Sequence, residues 1–369
     1  MRTFSPWMLL TAACVSLAFP IGMSSALAQE VGHGSGGPRL ADVQAGVDYR
    51  VYDRQGRPAS LNAIVEAARS ADVVLVGEEH DDMVGHGFQG RLLLSLLHEI
   101  GAPAAGDRQI VFSMEMFERD VQYVLDEYLA GLISEEHFLK SARPWPEYET
   151  RYRPLIEIAR SARVPVVAAN APRRYVSRVT ANGPQALEDL SDVARSFLPP
   201  LPYPGPSRLY REQWDALMAA SMQAAVGAVP VVADPDSTGQ GGGGALDASE
   251  PPSLSTDGAE AGPDHGSYAM SPHVIQAQAL WDAAMGHAVA EALIRHVGAL
   301  VLHIAGSFHI EKGTGVPERI VDYRPGTRIV SVVMTGVEDI TVWSDDEYGD
   351  LGDFVVLTRS ASDEGADPR

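Results

Sequence analysis

Short apolar runs that each end in polar side chains set the strongest limit on what this chain can fold into. The run at 73–76 leads into Gly77, Glu78, Glu79 and His80. The run at 110–114 leads into Glu115, that at 164–168 into Asn170, Arg173 and Arg174, and that at 300–304 into Ser307 and His309. A fifth run lies at 329–334. Short β-branched runs bounded by turn residues read as buried strands, and between them 84–99, 118–130, 134–141, 151–162 and 272–297 carry helical spacing. Such alternation predicts an α/β fold, a largely parallel central sheet flanked by helices. The stretch 118–214, with one strand and much helix, predicts a smaller helical subdomain over the strand ends. In open α/β sheets ligands sit beyond the carboxyl ends of the strands, so the four loaded ends converge on one candidate crevice.

Ahead of this pattern, Arg2, an apolar stretch from Trp7 to Phe19, and then Ala26, Leu27 and Ala28 form a secretory leader over 1–28. The expectation is an exported protein, periplasmic or in the cell envelope. Lipid attachment at Cys14 is the weaker reading, because the apolar run before it is short. Cys14 is the sole cysteine, so a cleaved chain holds no disulfide, thiolate nucleophile or Cys-ligated metal. With 28 Lys and Arg against 49 Asp and Glu, a net charge of −21, nucleic acid is excluded as a partner. No later run approaches the roughly 20 apolar residues of a bilayer span. Residues 40–360 read as one α/β domain. It is interrupted at 228–272 by a Gly, Pro and Ser-rich insertion that buries too little apolar surface to offset its ordering entropy, and 361–369 reads as a loose acidic tail.

The helix at 272–297 carries an informative error in its pattern. Val274, Trp281, Met285, Val289, Ala292 and Leu293 fall on one face, and so do Gln278 and Asp282. An unpaired carboxylate or amide is costly to bury, so these two should reach a polar partner or a site. Gln276, His287 and Glu291, opposite, read as solvated.

His80 and His309 each follow a glycine by three residues at a strand end, where a small residue permits a tight turn and close approach. His80, Glu115 and His309 could supply three ligands to a divalent metal such as Zn, Mn or Co and leave a position open for water. Met114 and Met116 flank Glu115 and read as core filler. GTGVP after His309 lacks the lysine and spacing of a P-loop and reads as a turn into the next helix.

Taken in order, GEEHDD, Gln89 on a leucine-rich helix, SMEMFERDVQ, RPWP, AANAPR, QAQALWDAAMGHAVA and IAGSFHIEKGTGVPER resemble the ChaN-like haem-binding uptake family. That family shares a superfamily with the Tiki metalloproteases and the erythromycin esterases. The resemblance runs from about Val73 to Thr335. It implies an α/β core with a helical subdomain, and haem capture in the envelope as part of iron acquisition. It also implies site roles for Glu78, His80, Glu115 and His309, positions that hold a metal or activate water in the hydrolytic relatives. In the ChaN-like branch a tyrosine is expected on the haem iron, with a haem pair shared across a homodimer. Tyr123, Tyr148, Tyr152 and Tyr175 match no ligand motif here, and this is a departure from the pattern.

Two chemistries remain open on these residues. Haem or metalloporphyrin binding, with transfer to an envelope transporter or receptor, would use Glu78, His80, Glu115, Asn170, Arg173, Gln278, Asp282 and His309. Arg173, Arg174 and Arg178 offer cations for the propionates. The alternative is a divalent-metal hydrolase of peptide or ester bonds, with Glu78, His80, Glu115 and His309 as its catalytic set.

Overall fold

The computed structural model describes residues 43–101, 108–227 and 271–360. The leader with Cys14, nearly all of the 228–272 segment and the tail at 361–369 lie outside the described residues. Among the described residues no helix is long and apolar enough to cross a membrane.

Eight strands form one sheet: β1 (Tyr49–Asp53), β2 (Pro58–Ala59), β3 (Val73–Glu78), β4 (Ile110–Glu118), β5 (Val166–Asn170), β6 (Leu300–Gly306), β7 (Ile329–Val337) and β8 (Phe354–Arg359). Their order is β2-β1-β8-β7-β3-β6-β4-β5. The run from β8 to β5 is parallel throughout, and β1 and β2 add an antiparallel edge. The mainly parallel sheet is therefore as expected, while β1, β2 and β8 extend it beyond the five strands read from sequence.

Every residue of β3 is buried, because both faces of the strand are covered. Val74 and Val76 pack with Leu92, Leu96, Ile156 and Leu302 on one face, and Val73 and Leu75 with Met285, Val289 and Ile320 on the other. A strand covered on both sides loses the polar alternation of a half-exposed one and reads as a continuous apolar run. Each such side chain contributes about 1.5–3 kcal/mol by leaving water.

The first face is covered by α1 (Leu61–Ser70) and α2 (Met83–Glu99). It continues into α3 (Gln122–Leu129), α4 (Glu135–Ala142), α5 (Tyr148–Arg151) and α6 (Arg153–Ser161), the helices between β4 and β5. Their aromatic centre, Tyr128 stacked on Phe138 at 4.5 Å with Tyr148 edge-on at 5.8 Å, belongs to the same core as β3 and α2. The helices between β4 and β5 thus share the core of the first face.

Past β5 come α7 (Arg173–Asn182), α8 (Asp192–Arg195) and α9 (Arg208–Gly227), then α10 (Val274–Arg295) and α11 (Val316–Tyr323). Helix α10 is buried on more faces than its apolar stripe predicts. Met285, Val289 and Leu293 meet the sheet, while Ala277, Leu280, Ala283 and Ala284 pack with Val176 and Val179 of α7. Alanine is a good helix former on any surface, so the second packed face leaves little trace in the sequence. The opposite edge is not simply solvated either: Arg119 reaches across from the end of β4, with Nη2 2.6 Å from Glu291 and Nη1 3.2 Å from His287.

Candidate functional site

Strand β6 enters late in the chain and inserts between β3 and β4. The carboxyl ends of β3, β6, β4 and β5 therefore lie side by side, and the four loaded strand ends share one edge. Two glycines let the loops close on each other. A Cβ on Gly77 would stand 2.9 Å from the Ser307 Cα, and one on Gly306 would stand 3.1 Å from the His80 ring and 3.7 Å from the ring of His309. Each strand end thus admits the loop of its neighbour, the close approach for which small residues were expected.

On the α2 side the centre is Glu78, 2 % exposed. Its Oε1 accepts hydrogen bonds from the Tyr152 hydroxyl at 2.8 Å and meets His80 Nδ1 at 2.9 Å, while Oε2 accepts from Gln89 Nε2 at 2.5 Å. Burial alone would raise the pKa of this carboxyl, but the His86 and His80 imidazoles and the bonds from His80 and Gln89 hold it below its usual value. An ionised carboxylate has no proton to give, so the hydrogen of this contact sits on His80 Nδ1. Among the described residues Nε2 has no hydrogen-bond partner. The His80 side chain is 31 % exposed and rests edge-on against Trp145 at 4.9 Å. Burial opposes its protonation, yet the bond to Glu78 and the Glu115 charge raise its pKa. His86 Nε2 lies 3.0 Å from the His80 carbonyl and secures the turn from behind.

On the α10 side the centre is His309. Strand β4 bulges between Met114 and Glu118, which takes Glu115 out of the ladder, and its Oε2 accepts the Gly306 N–H at 2.8 Å. His309 Nδ1 is 2.7 Å from Asp282 Oδ1, and Nε2 is 3.8 Å from Glu115 Oε1. Burial would lower the pKa of this histidine, but Asp282 and Glu115 prevail and raise it to about 9. Gly315, at φ +65°, folds the GTGVP turn back so tightly that a Cβ would meet the His309 carbonyl at 2.7 Å and Asp282 Oδ1 at 2.8 Å. That turn leads into α11, as expected. Helix α9 adds the buried Tyr210, whose phenol is pushed well above its usual pKa by burial and by the neighbouring Asp282 charge.

The structure thus joins Glu78 with His80, and Glu115 with His309 and Asp282, around Gly306. Asn170 ends β5 opposite Glu118 in the register, buried, with its Oδ1 lacking a hydrogen-bond partner among the described residues. Arg173 opens α7 just beyond it. Arg174 is paired with Asp120 at 2.6 Å, and Arg178 is held by the Ala186 carbonyl and Asp189. Gln278 is half-buried one helical turn before Asp282. Among the described residues no three His, Cys, Asp or Glu side chains are grouped to hold a metal ion, so the three-ligand set of His80, Glu115 and His309 is not shown. Glu115 Oε2 accepts the Gly306 N–H, and each histidine turns Nδ1 toward its own carboxylate.

Sequence reasoning gave no role to His86, Tyr152 or Trp145 in this cluster. It also missed His303, fully buried on β6 with Nδ1 2.9 Å from Ser113 Oγ and its pKa lowered by burial to about 3. Only the histidine inside an otherwise apolar run, LVLHIAG, marks that last one.

A family model for haem-binding uptake proteins of the Tiki superfamily, ChaN, matches residues 64–320. No curated protein matches the chain. Among solved structures, the Campylobacter jejuni ChaN with cofacially bound haem aligns with a TM-score of 0.57 at 16 % identity, covering 86 % of this chain and 100 % of that one. This likeness shows the fold. A Bacillus cereus protein aligns at 0.40 with 13 % identity, covering 82 % and 92 %. An erythromycin esterase variant in its open conformation aligns at 0.39 with 10 % identity, covering 85 % and 83 %.

Proposed function

Because the chain belongs to the haem-binding uptake family of the Tiki superfamily, we propose that it binds haem at the shared carboxyl edge of β3, β6, β4 and β5, with His80 as the iron ligand. The observation that carries this reading is the His80–Glu78 pair. A metal-binding histidine characteristically donates its second ring N–H to a carboxylate, which fixes the tautomer and raises ligand basicity; here Nδ1 faces Glu78 at 2.9 Å and Nε2 has no hydrogen-bond partner among the described residues. Tyr152 and Tyr148 fit an iron less well. Tyr152 gives its hydroxyl to Glu78, and burial with that charge raises its pKa, which disfavours a phenolate. The Tyr148 hydroxyl is buried.

Bound haem would supply an iron centre with one or two axial positions. The chain's own residues do the rest. Glu78 orients His80, Trp145 braces its ring, and Arg173, at the mouth beside Asn170, is assigned to a propionate. Export to the periplasm or envelope, a homodimer holding two haems face to face, and transfer to an envelope transporter or receptor belong to the same proposal. The leader read from the sequence supports the first, and the cofacially bound haem of the Campylobacter jejuni ChaN supports the second.

The test is a hemin titration of the purified chain followed by absorbance, in wild type, His80→Ala and His309→Ala. A saturable Soret shift that is lost in His80→Ala and kept in His309→Ala is the expected result. Absence of a specific shift in wild type, together with Zn, Mn or Co binding and hydrolysis of ester or peptide substrates, would replace this reading with the metal-hydrolase alternative.

A further inference from the structure

We infer that residues 143–147 form a latched strap over His80, and that release of its latch, the Arg143 guanidinium, lets Trp145 swing off the imidazole and admits a ligand to Nε2. The strap governs access to the ring whatever ligand binds there, so it goes beyond the haem reading.

The strap joins α4 to α5 and runs between two buried anchors, Ala142 and Tyr148. Its backbone is strained at both ends. Among the described residues four non-glycine residues have positive φ, and two of them, Arg143 at +49° and Glu147 at +58°, bound this one short segment. In the left-handed region a Cβ crowds the following carbonyl oxygen. Arg143 is the C-cap of α4, where that conformation is usually left to Gly or Asn. It also precedes Pro144, and a residue before proline is pushed toward extended backbone. Glu147 is the N-cap of α5 and makes no side-chain capping bond there, although an N-cap normally takes extended backbone and caps with its side chain. Conformations of this kind persist only where the surroundings hold them.

Two contacts hold the strap down. Arg143 Nη2 donates to Glu118 Oε2 at 2.8 Å and to Asp120 Oδ1 at 2.6 Å, so one guanidinium ties the strap to the end of β4. Arg174, 2.6 Å from the other Asp120 oxygen, keeps that carboxylate in place. Trp145 lies edge-on to His80, with 4.9 Å between ring centroids, and perpendicular to Tyr152 at 6.3 Å. Arg143, Pro146 and Glu147 are exposed and Trp145 is half-buried, so the strap can lift without opening the core beneath it. The Arg143 side chain is itself half in water, and ion pairs so exposed are individually weak. A weak latch set against a strained backbone gives two states close in free energy, and a small perturbation shifts the balance between them.

The experiment is carbethoxylation of the full chain by diethyl pyrocarbonate, with the rate at each histidine resolved by mass spectrometry of the digested protein. His86, 3 % exposed, reports any loosening of the cluster, and the exposed His98 reports the reagent's own reactivity. Arg143→Gln removes the latch and keeps the strained turn, so His80 should react about threefold faster than in wild type, the range an exposed ion pair supports. Glu147→Gly relieves the strain, and His80 should react about threefold slower than in Glu147→Gln, which loses the same pairing with Arg151; the change is smaller than the full steric cost because glycine also frees the open strap. In Trp145→Ala the ring should react fastest, and adding Arg143→Gln should change nothing further. Equal His80 rates in wild type and Arg143→Gln, a Glu147→Gly rate at or above that of Glu147→Gln, or a latch effect that persists without Trp145 would each overturn the inference. So would a faster His80 matched by an equally faster His86. These rates involve no hemin, so the strap and the haem reading fail separately.

Discussion

The pairing of His309 with Asp282 should be measurable as a dependence of stability on pH. In the unfolded chain the imidazole titrates near 6.5; in the fold its pKa is raised to about 9. Because the folded state binds the proton more tightly, the contribution to stability is fully present below about pH 6.5 and is lost as pH rises through 9. One pKa unit corresponds to about 1.4 kcal/mol, so stability should fall by about 1.4 kcal/mol per pH unit across this window, to a total of about 3 kcal/mol. Asp282→Asn removes the nearer of the two charges, 2.7 Å from Nδ1. The more distant Glu115, at 3.8 Å, then faces the desolvation penalty alone. Urea denaturation of both proteins from pH 6 to 10 gives the comparison directly, and the His309 ring-proton chemical shift identifies the group. Wild type should lose stability across the window relative to Asp282→Asn. Parallel profiles, or a His309 shift that titrates near 6.5 in wild type, would refute the reasoning.

Glu78 predicts the opposite limb. Its pKa is lowered, so its contribution is present above about pH 4.5 and is lost as pH falls through the folded value; Glu78→Gln should flatten the acid side of the stability profile measured by the same denaturation. Gly306→Ala would press a methyl 3.1 Å from the His80 ring, and hemin affinity should drop by about tenfold, or about 1.4 kcal/mol, with little change in thermal midpoint. Phe112, fully buried in β4, tests the core: Phe112→Ala should cost about 3–5 kcal/mol in urea unfolding, and a loss below 1 kcal/mol would contradict the packing described.

That Glu78, Glu115 and His309 would lie near one another was legible because each comes at the end of a plain apolar run, the mark of a strand buried on both faces. Asp282 was legible for a related reason, as a carboxylate on an apolar stripe, and His309 is its partner. Gln278 shares that stripe but not that bond, since half-burial is enough to leave an amide near water. Tyr152 was hidden among the aromatics and arginines of RPWPEYETRYRP. Its role depends on α6 crossing α2 to reach Glu78, a tertiary fact with no local signature. His86 lies in the glycine-rich first turns of α2, where nothing in the spacing tells a buried face from an exposed one. The edge strands were missed for a simpler reason. β1 carries Arg50 and Asp53 in five residues, and β8 follows a loop with no helical pattern to set it off.

The sheet order has a consequence for how the chain can be divided. Residues 43–227 supply β1 to β5 and residues 271–360 supply β6 to β8, yet across the sheet these two sets alternate: β2-β1 from the first, β8-β7 from the second, then β3, then β6, then β4-β5. A cut between Gly227 and Ser271 would not yield two folding modules. It would leave the first piece with three disconnected strand groups and the second with two, each lacking the neighbours that complete its hydrogen bonds. The pieces would interlock like the fingers of two hands. Glu78 and His80 sit on one piece, and Gly306 and His309 on the other, so a split chain would report its own reassembly by rebuilding the crevice.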